Sequence, residues 1–168
     1  MKKLTRTTAA LGAAGLVAAA LAAAPPANAV SSIFQIKVTE VTTSQHDTIG
    51  NVPQVGDTFS FTSNLRQDGN RVGKDAGVCT FKRIFGDRNN PTSADMRCVV
   101  RFQFFNTGTM RAAGTFRVTM RDLQNNNLDV KIPIRNGSGK FANAGGTVRN
   151  EQVNATKSRL TFRLTGVN

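Results

Sequence analysis

The stretch TMRAAGTFRVTMR, residues 109–121, divides its side chains between two faces. One face collects the apolar residues Met110, Ala112, Phe116, Val118 and Met120. The other face collects the arginines Arg111, Arg117 and Arg121. Successive side chains of a β-strand point to opposite faces, whereas a helix of this sequence would mix the two sets. The stretch therefore predicts one long strand of an antiparallel barrel, buried on one side and exposed to solvent on the other.

The same alternation recurs along the chain after residue 30, between segments rich in turn-forming residues. Turns are predicted at 67–70, 86–91 and 124–127, where Gly, Asp, Asn and Pro cluster. The predicted strands are 33–41, 58–65, 78–85, 98–105, 109–121, 128–135, 146–153 and 158–165. Eight strands are enough to close a sheet on itself. We therefore expect an all-β fold, an eight-stranded antiparallel up-and-down β-barrel.

The first 29 residues have the organisation of a cleavable signal peptide. Lys2, Lys3 and Arg6 precede a long Ala/Leu/Gly/Val stretch that ends in Ala27-Asn28-Ala29. A basic start, an apolar centre and small residues before the cleavage point direct a chain to export. We expect residues 1–29 to be removed, residues 30–168 to form a single barrel domain, and the mature protein to be secreted. No later apolar run is long enough to span a bilayer as a helix.

Phenylalanine supplies all the aromatic surface of this chain. The sequence has 11 Phe, all after residue 29, and neither Tyr nor Trp. Phenyl rings offer apolar contact without a hydroxyl or indole donor, which favours the binding of apolar molecules over polar selectivity. Six rings have the parity of inward-facing residues, namely Phe59, Phe61, Phe81, Phe102, Phe104 and Phe116. We expect these rings to line a cavity, although large rings that filled the barrel completely would leave a structural protein with no ligand.

Cys79 and Cys98 are the only cysteines in the chain. Export to an oxidising compartment favours a disulfide, and neighbouring antiparallel strands bring two cysteines within bonding range if the register agrees. Because the register does not follow from the sequence, a free buried thiol that packs as a small apolar side chain is the alternative. A disulfide would exclude Cys79 as a nucleophile.

The basic residues offer a second candidate site on the outside of the barrel. The whole chain has 22 Lys and Arg against 10 Asp and Glu, and three of the basic residues lie in the leader. Seven fall on the polar face of their strands, namely Arg111, Arg117, Arg121, Lys131, Arg135, Arg159 and Arg163. A continuous cationic band would attract polyanions with an affinity that falls as salt rises. Outward charges also serve simply to keep a barrel soluble.

Two other motifs carry little functional weight. Gly137-Ser138-Gly139-Lys140 connects two predicted strands, whereas a phosphate-binding loop opens a helix, so we expect a turn there. His46 is the only histidine and has no second ligand at metal-binding spacing, so we expect a solvated side chain and no metal site.

Several segments, in order, resemble the allene oxide cyclase and dirigent β-barrel superfamily. They are Gly56-Asp57-Thr58-Phe59-Ser60-Phe61-Thr62, Ala76-Gly77-Val78-Cys79, residues 97–114 and the glycine turn from Gly137 to Gly146. The resemblance covers nearly all of the chain after the leader. It implies an eight-stranded barrel, often a homotrimer, whose cavity takes a small apolar or phenolic ligand without a metal or organic cofactor.

The resemblance also implies roles for individual residues. Glu40 stands where the cyclase has a glutamate that stabilises positive charge, and its parity with Ile36 and Val38 points it into the barrel. Asp57 is a weaker catalytic candidate, since it fits equally a turn before its strand. Three further cavity positions carry over from the cyclase as Thr42, Ser63 and Cys79, and Pro53 is the candidate for its pocket proline. Thr42 and Ser63 replace asparagines of the cyclase, so the resemblance supports the barrel more strongly than the allene oxide reaction.

Together these features lead to one principal interpretation. We expect a secreted barrel that binds a small apolar molecule in its cavity and acts as a cyclase, isomerase or stereo-directing coupling protein, with Glu40 in the catalytic role. The alternative is an extracellular binding protein without enzymatic activity, which holds polyanions or cell-envelope components on its cationic exterior.

Overall fold

The computed structural model describes residues 33–167, which form eight β-strands and one short helix. The strands are β1 (Phe34–Asp47), β2 (Thr58–Gln67), β3 (Asn70–Gly86), β4 (Pro91–Phe104), β5 (Gly108–Thr119), β6 (Asp129–Gly139), β7 (Gly145–Asn154) and β8 (Lys157–Thr165). The helix α1 (Met120–Gln124) lies between β5 and β6. Each strand pairs antiparallel with the next, and β1 pairs with β8, which closes the barrel. The predicted fold class is confirmed, while the proposed leader lies outside the described residues.

Strand β5 shows why this sequence closes into a barrel. Met110, Ala112 and Val118 are buried, whereas Arg111 and Arg117 are exposed, as the period-two pattern predicts. The strand nevertheless ends at Thr119, so the prediction that Met120 and Arg121 continue it is wrong. The reason is a helix cap, because the hydroxyl of Thr119 accepts a hydrogen bond from the backbone N–H of Asp122 at 3.0 Å. Met120 remains buried, but on α1.

Strands β3 and β4 form a longer hairpin than the sequence predicts. They begin at Asn70 and Pro91, where residues 78 and 98 were the expected starts. Glycine, proline and aspartate have low β-propensity, and the extra residues are rich in them. The two strands nevertheless pair along almost their whole length, from Gly73 opposite Phe104 to Gly86 opposite Pro91. This pairing outweighs the low β-propensity of the added residues. The hairpin between β2 and β3 turns at Asp68 and Gly69, both at positive φ, as in the two-residue turns that suit twisted strands.

A β-bulge in β1 changes which of its residues face the interior. The pairing of β1 with β2 shifts between Thr42 and Ser44. Glu40 and Thr42 face inward before the bulge, and Gln45 and Asp47 line the interior after it. Bulges re-aim side chains in this way beside functional sites. The bulge therefore lets a single strand contribute to the interior along most of its length.

Candidate active site

The barrel interior contains a cavity of about 500 Å³ at one end. This end is formed by the β1–β2 loop, the β3–β4 turn, α1 and the β7–β8 turn, all of which contribute lining residues. The lining residues from these segments are Ile49, Asn51, Val52, Pro53, Asn89, Asn90, Met120, Leu123, Gln124 and Ala155, joined by Asn126 and Leu128 from the loop after α1. A volume of this size suits one small organic molecule. Pro53 thus lies where the resemblance to the cyclase implies a pocket proline.

The opposite end of the barrel is filled by phenylalanine rings. Phe162 meets Phe102 and Phe104 edge to face, with ring centroids 4.9 and 5.6 Å apart, and Phe104 packs on Phe141 at 5.5 Å. The prediction that Phe102 and Phe104 line the cavity is therefore wrong. Both rings face inward as expected, but parity along a strand does not indicate depth within a barrel. The filled end gives the cavity a floor.

The apolar wall of the cavity lies on β2, β3, β4 and β5. The rings of Phe59, Phe61, Phe81 and Phe116 line it. Phe59 and Phe61 are 5.7 Å apart between ring centroids, on the same face of β2. The ring of Phe61 lies over Gly77, where an added Cβ would come within 2.5 Å of the ring. Glycine at this position therefore provides the space in which the Phe61 ring packs.

The disulfide between Cys79 and Cys98 is present and forms part of this wall. The two cysteines are direct register partners on β3 and β4. The disulfide prediction is confirmed, and the alternative of a free buried thiol is wrong. As a bridged residue, Cys79 is a wall residue of the cavity and not a nucleophile.

Glu40 lies at the floor of the cavity within a buried polar cluster. Glu40, Ser63 and Asp75 are 4%, 2% and 4% exposed. The hydroxyl of Ser63 donates a hydrogen bond to Oε1 of Glu40 at 3.2 Å, and Ser63 pairs with Asp75 across β2 and β3. Glu40 and Thr42 line the cavity, whereas Ser63 lies behind Glu40, so the prediction of Ser63 as a lining residue is wrong.

Asp75 is the residue of this cluster that sequence reasoning missed. Burial, and after it the neighbouring charge of Glu40, raise the pKa of Asp75 from 3.8 to about 9. A carboxyl group in this state holds its proton at neutral pH. Asp75 has the same odd-numbered parity as Cys79 and Phe81, which would have indicated an inward-facing side chain. The strand predicted from the sequence began at residue 78, so it did not include Asp75.

Asp57 does not join this cluster. Its carboxylate accepts a hydrogen bond from the backbone N–H of Gln54 at 2.8 Å, in the turn before β2. Its backbone carbonyl accepts from the N–H of Phe81 at 3.0 Å. Asp57 is not among the residues that line the cavity. The geometry thus fits the turn role that the sequence also allowed.

A polar wall, which the sequence did not predict, faces the apolar one. It includes Glu40 on β1, Ser158 on β8, and Asn150 and Gln152 on β7, and the exposed Lys157 at the start of β8 also lines the cavity. Gln152 pairs with Ser158, and Ser158 pairs with Glu40, so these three residues form one row across the strands. The cavity therefore has one face of phenyl rings and one face of carboxyl, hydroxyl and amide groups.

The seven basic residues of the candidate outer band are all exposed. Arg117 forms an ion pair with Asp95 at 2.9 Å and lies over the ring of Phe85. Strands β5 and β6 are neighbours, but β7 separates β6 from β8, and its Arg149 is paired with Asp129. The band is therefore interrupted by ion pairs.

Other sequence motifs have simple structural roles in the described residues. His46 is exposed on β1, and Gly137 to Gly139 belong to β6, with Lys140 in the turn that follows. Between residues 33 and 167, no three His, Cys, Asp or Glu side chains are grouped as metal ligands. No helix in that range is long and apolar enough to cross a membrane.

The comparisons with known proteins concern the fold. No family model matches the sequence, and no curated protein matches it. Among solved structures, a pyocyanin demethylase matches with a TM-score of 0.64 and 22% identity, covering 79% of this chain and 100% of that one. An exo-specific intermolecular Diels–Alderase, AbnU, matches with a TM-score of 0.65 and 15% identity, covering 80% and 99%.

A third structure, a pterocarpan synthase dirigent protein, matches with a TM-score of 0.52 and 14% identity, covering 79% of this chain and 88% of that one. At such identities the likeness establishes a shared architecture. The chain shares the barrel fold of these demethylase, Diels–Alderase and dirigent structures, which is the fold that the sequence resemblance implies.

Proposed function

We propose that the cavity binds one small, largely apolar molecule and promotes its cyclisation or isomerisation. The observation that carries the proposal is the burial of Glu40, 4% exposed, at the floor of a cavity of about 500 Å³. A carboxyl group is costly to bury, so its place on the cavity lining, opposite the phenyl rings, favours a role toward a bound molecule. Structural neighbours named as Diels–Alderases and dirigent proteins support the same class of chemistry.

The walls would act by holding the substrate near its reactive geometry. Rings on one side and a rigid disulfide beside them restrict how a flexible molecule can fold in the cavity. Such positioning lowers the entropic part of a cyclisation barrier. No group needs to leave the molecule in an isomerisation or cyclisation, so substrate and product have the same mass.

Glu40 would be the catalytic residue, since it lines the cavity. Its negative charge, held by the Ser63 hydroxyl at 3.2 Å, would stabilise positive charge that develops on the substrate. Asp75 keeps its proton and lies behind the cavity, so it would act through Glu40 as a positioning residue.

Product analysis with two variants tests this proposal. Wild type, Glu40→Gln and Val130→Trp are incubated with a metabolite extract of the source organism, and products are separated by chromatography with mass detection. We expect wild type to convert one compound to a product of equal mass. Glu40→Gln should slow this conversion about a hundredfold or more while retaining binding.

Val130→Trp supplies the control for the location of the site. Val130 is half-buried, lines the cavity and pairs with Asn150, so a tryptophan there fills the cavity. We expect this variant to lose both binding and conversion. Equal turnover by Glu40→Gln would exclude the carboxyl mechanism, and equal binding by Val130→Trp would exclude the cavity.

We further propose that the protein works outside the cytoplasm after loss of residues 1–29. The Cys79–Cys98 disulfide supports this, because such bonds persist in oxidising compartments. N-terminal sequencing of the secreted protein should give a start at Val30. Recovery of the full-length, reduced chain from the cytoplasm would contradict it.

Polyanion binding by the exterior is a second candidate function. Arg111 is exposed and lies directly opposite the exposed Arg101 on β4, which concentrates positive charge on the outer wall. Two like charges placed in register are unfavourable unless an anion lies between them. Retention of the protein on immobilised heparin, and its dependence on salt, tests this candidate.

A further inference from the structure

The polar wall of the cavity contains two amide side chains on β7 that no part of the proposed reaction uses. Asn150 and Gln152 both line the cavity and are two residues apart, so they face the same side of the strand. Gln152 lies in the row that leads through Ser158 to Glu40. The two amides are therefore placed along one edge of any molecule that also contacts Glu40.

Each of these amides has a buried oxygen without a donor. Among residues 33–167, no hydrogen-bond donor reaches Oδ1 of Asn150 or Oε1 of Gln152. The orientation of Gln152 is set by its own Nε2, which donates to Oδ1 of Asn126 at 3.3 Å. Its oxygen is then the atom without a partner.

Unpartnered oxygens of this kind are rare in folded proteins, because a buried acceptor without a donor is unfavourable. Both oxygens are buried even without a ligand, so an apolar ligand would leave them without a donor, whereas a ligand with O–H or N–H groups could supply one. An anionic ligand would bring its negative charge beside Glu40 and these acceptors, and Lys157, the one basic residue among the lining residues, is exposed at the start of β8 and lies outside this row. The wall is therefore suited to neutral donors.

We propose that Asn150 and Gln152 determine specificity by accepting hydrogen bonds from one edge of a neutral ligand, whose other side packs on the phenyl rings. This inference rests on the proposed binding function and adds the requirement for donor groups. It distinguishes the ligand from a plain hydrocarbon and from a free fatty acid. The amides are binding residues in this account, while Glu40 retains the catalytic role.

A matched pair of probes tests the inference. A naphthalenediol carries two hydroxyl donors, and its dimethyl ether keeps the same rings and oxygens without donors. Binding of each probe to the mature, oxidised protein is measured by fluorescence titration. Two satisfied acceptors predict that the diol binds about tenfold more tightly than the ether.

Two variants and one control assign the preference to residues. Asn150→Leu and Gln152→Met each replace an amide by an apolar group of similar size. Each should weaken diol binding about threefold or more and leave ether binding nearly unchanged. Gln103→Met changes the same group at an exposed position on β4 and should alter neither affinity.

The outcomes separate this inference from the proposed function. Equal affinities of the two probes in wild type, with both lost in Val130→Trp, would overturn the role of the amides and leave cavity binding intact. Binding of neither probe would overturn cavity binding and the amide role together. The wild-type comparison needs no substitution, so a variant that fails to fold does not prevent the test.

Discussion

The carboxyl group of Asp75 lies against that of Glu40 inside the barrel, where both side chains are 4% exposed. Two neighbouring carboxyl groups in a desolvated site repel each other when both are charged, which favours the protonated form of Asp75. Burial, and after it the charge of Glu40, raise the pKa of Asp75 to about 9, so Asp75 holds its proton at neutral pH. Glu40 is the member that lines the cavity.

Asp75 makes stability fall as pH rises. Its pKa is raised in the folded state, so the folded chain keeps a proton that the unfolded chain loses above about pH 4. The stabilisation that Asp75 provides is complete below the pKa of the unfolded chain and is lost as pH rises toward the folded pKa of about 9. Over that range the free energy of unfolding falls by at most about 1.4 kcal/mol per pH unit.

Asp75→Asn should remove this slope, because the amide has no proton to lose. Chemical denaturation at about pH 5 and about pH 8 measures the difference for wild type and variant. Asp129→Asn, which alters a carboxylate on the barrel surface, is the matched control and should keep the wild-type decline. An equal decline in Asp75→Asn and wild type would show that Asp75 does not retain its proton.

The two ends of the barrel should respond differently to loss of a ring. Phe102→Ala should cost about 3–5 kcal/mol of stability, because the ring is 2% exposed in the filled end. Phe116→Ala should cost less, since that half-buried ring lines the cavity, and it should change ligand binding. Denaturation and probe titration of both variants measure this. Loss of probe binding in a folded Phe102→Ala variant would contradict the assignment of the two ends.

Reduction of the disulfide should destabilise the barrel. The bridge closes a loop with a sequence separation of 19, for which restriction of the unfolded chain is worth about 3 kcal/mol. Denaturation midpoints with and without a reducing agent give the effect. The Cys79→Ala/Cys98→Ala double variant serves as the control and should not respond to the reducing agent. A wild-type midpoint that is unchanged by verified reduction would show that the bridge contributes little.

The exterior charge should affect retention on heparin without affecting the cavity. Arg111, Arg159 and Arg163 are exposed, and their joint replacement by Gln removes three cationic groups from the outer wall. Elution should then require less salt, while binding of the uncharged probes stays the same. Coupled loss of both properties would mean that the exterior and the cavity are not independent sites.

Period-two patterning predicted the closed barrel and the inward direction of Glu40, because a buried face leaves a strong trace in the sequence. It did not predict the depth of Phe102, since depth depends on strand tilt and register in a closed sheet. Asp75 was missed because Gly73 and Gly77 resemble a turn in isolation. The amides of β7 were missed because polar residues in a strand ordinarily indicate the solvent face.

The most direct test of the account is native mass spectrometry of the mature protein after exposure to the metabolites of its source organism, with Val130→Trp treated in parallel. The account predicts one small neutral molecule per barrel in wild type and none in the variant. A folded wild-type barrel that captures nothing, or a variant that captures as much as wild type, would contradict the claim that the cavity above Glu40 is the functional site.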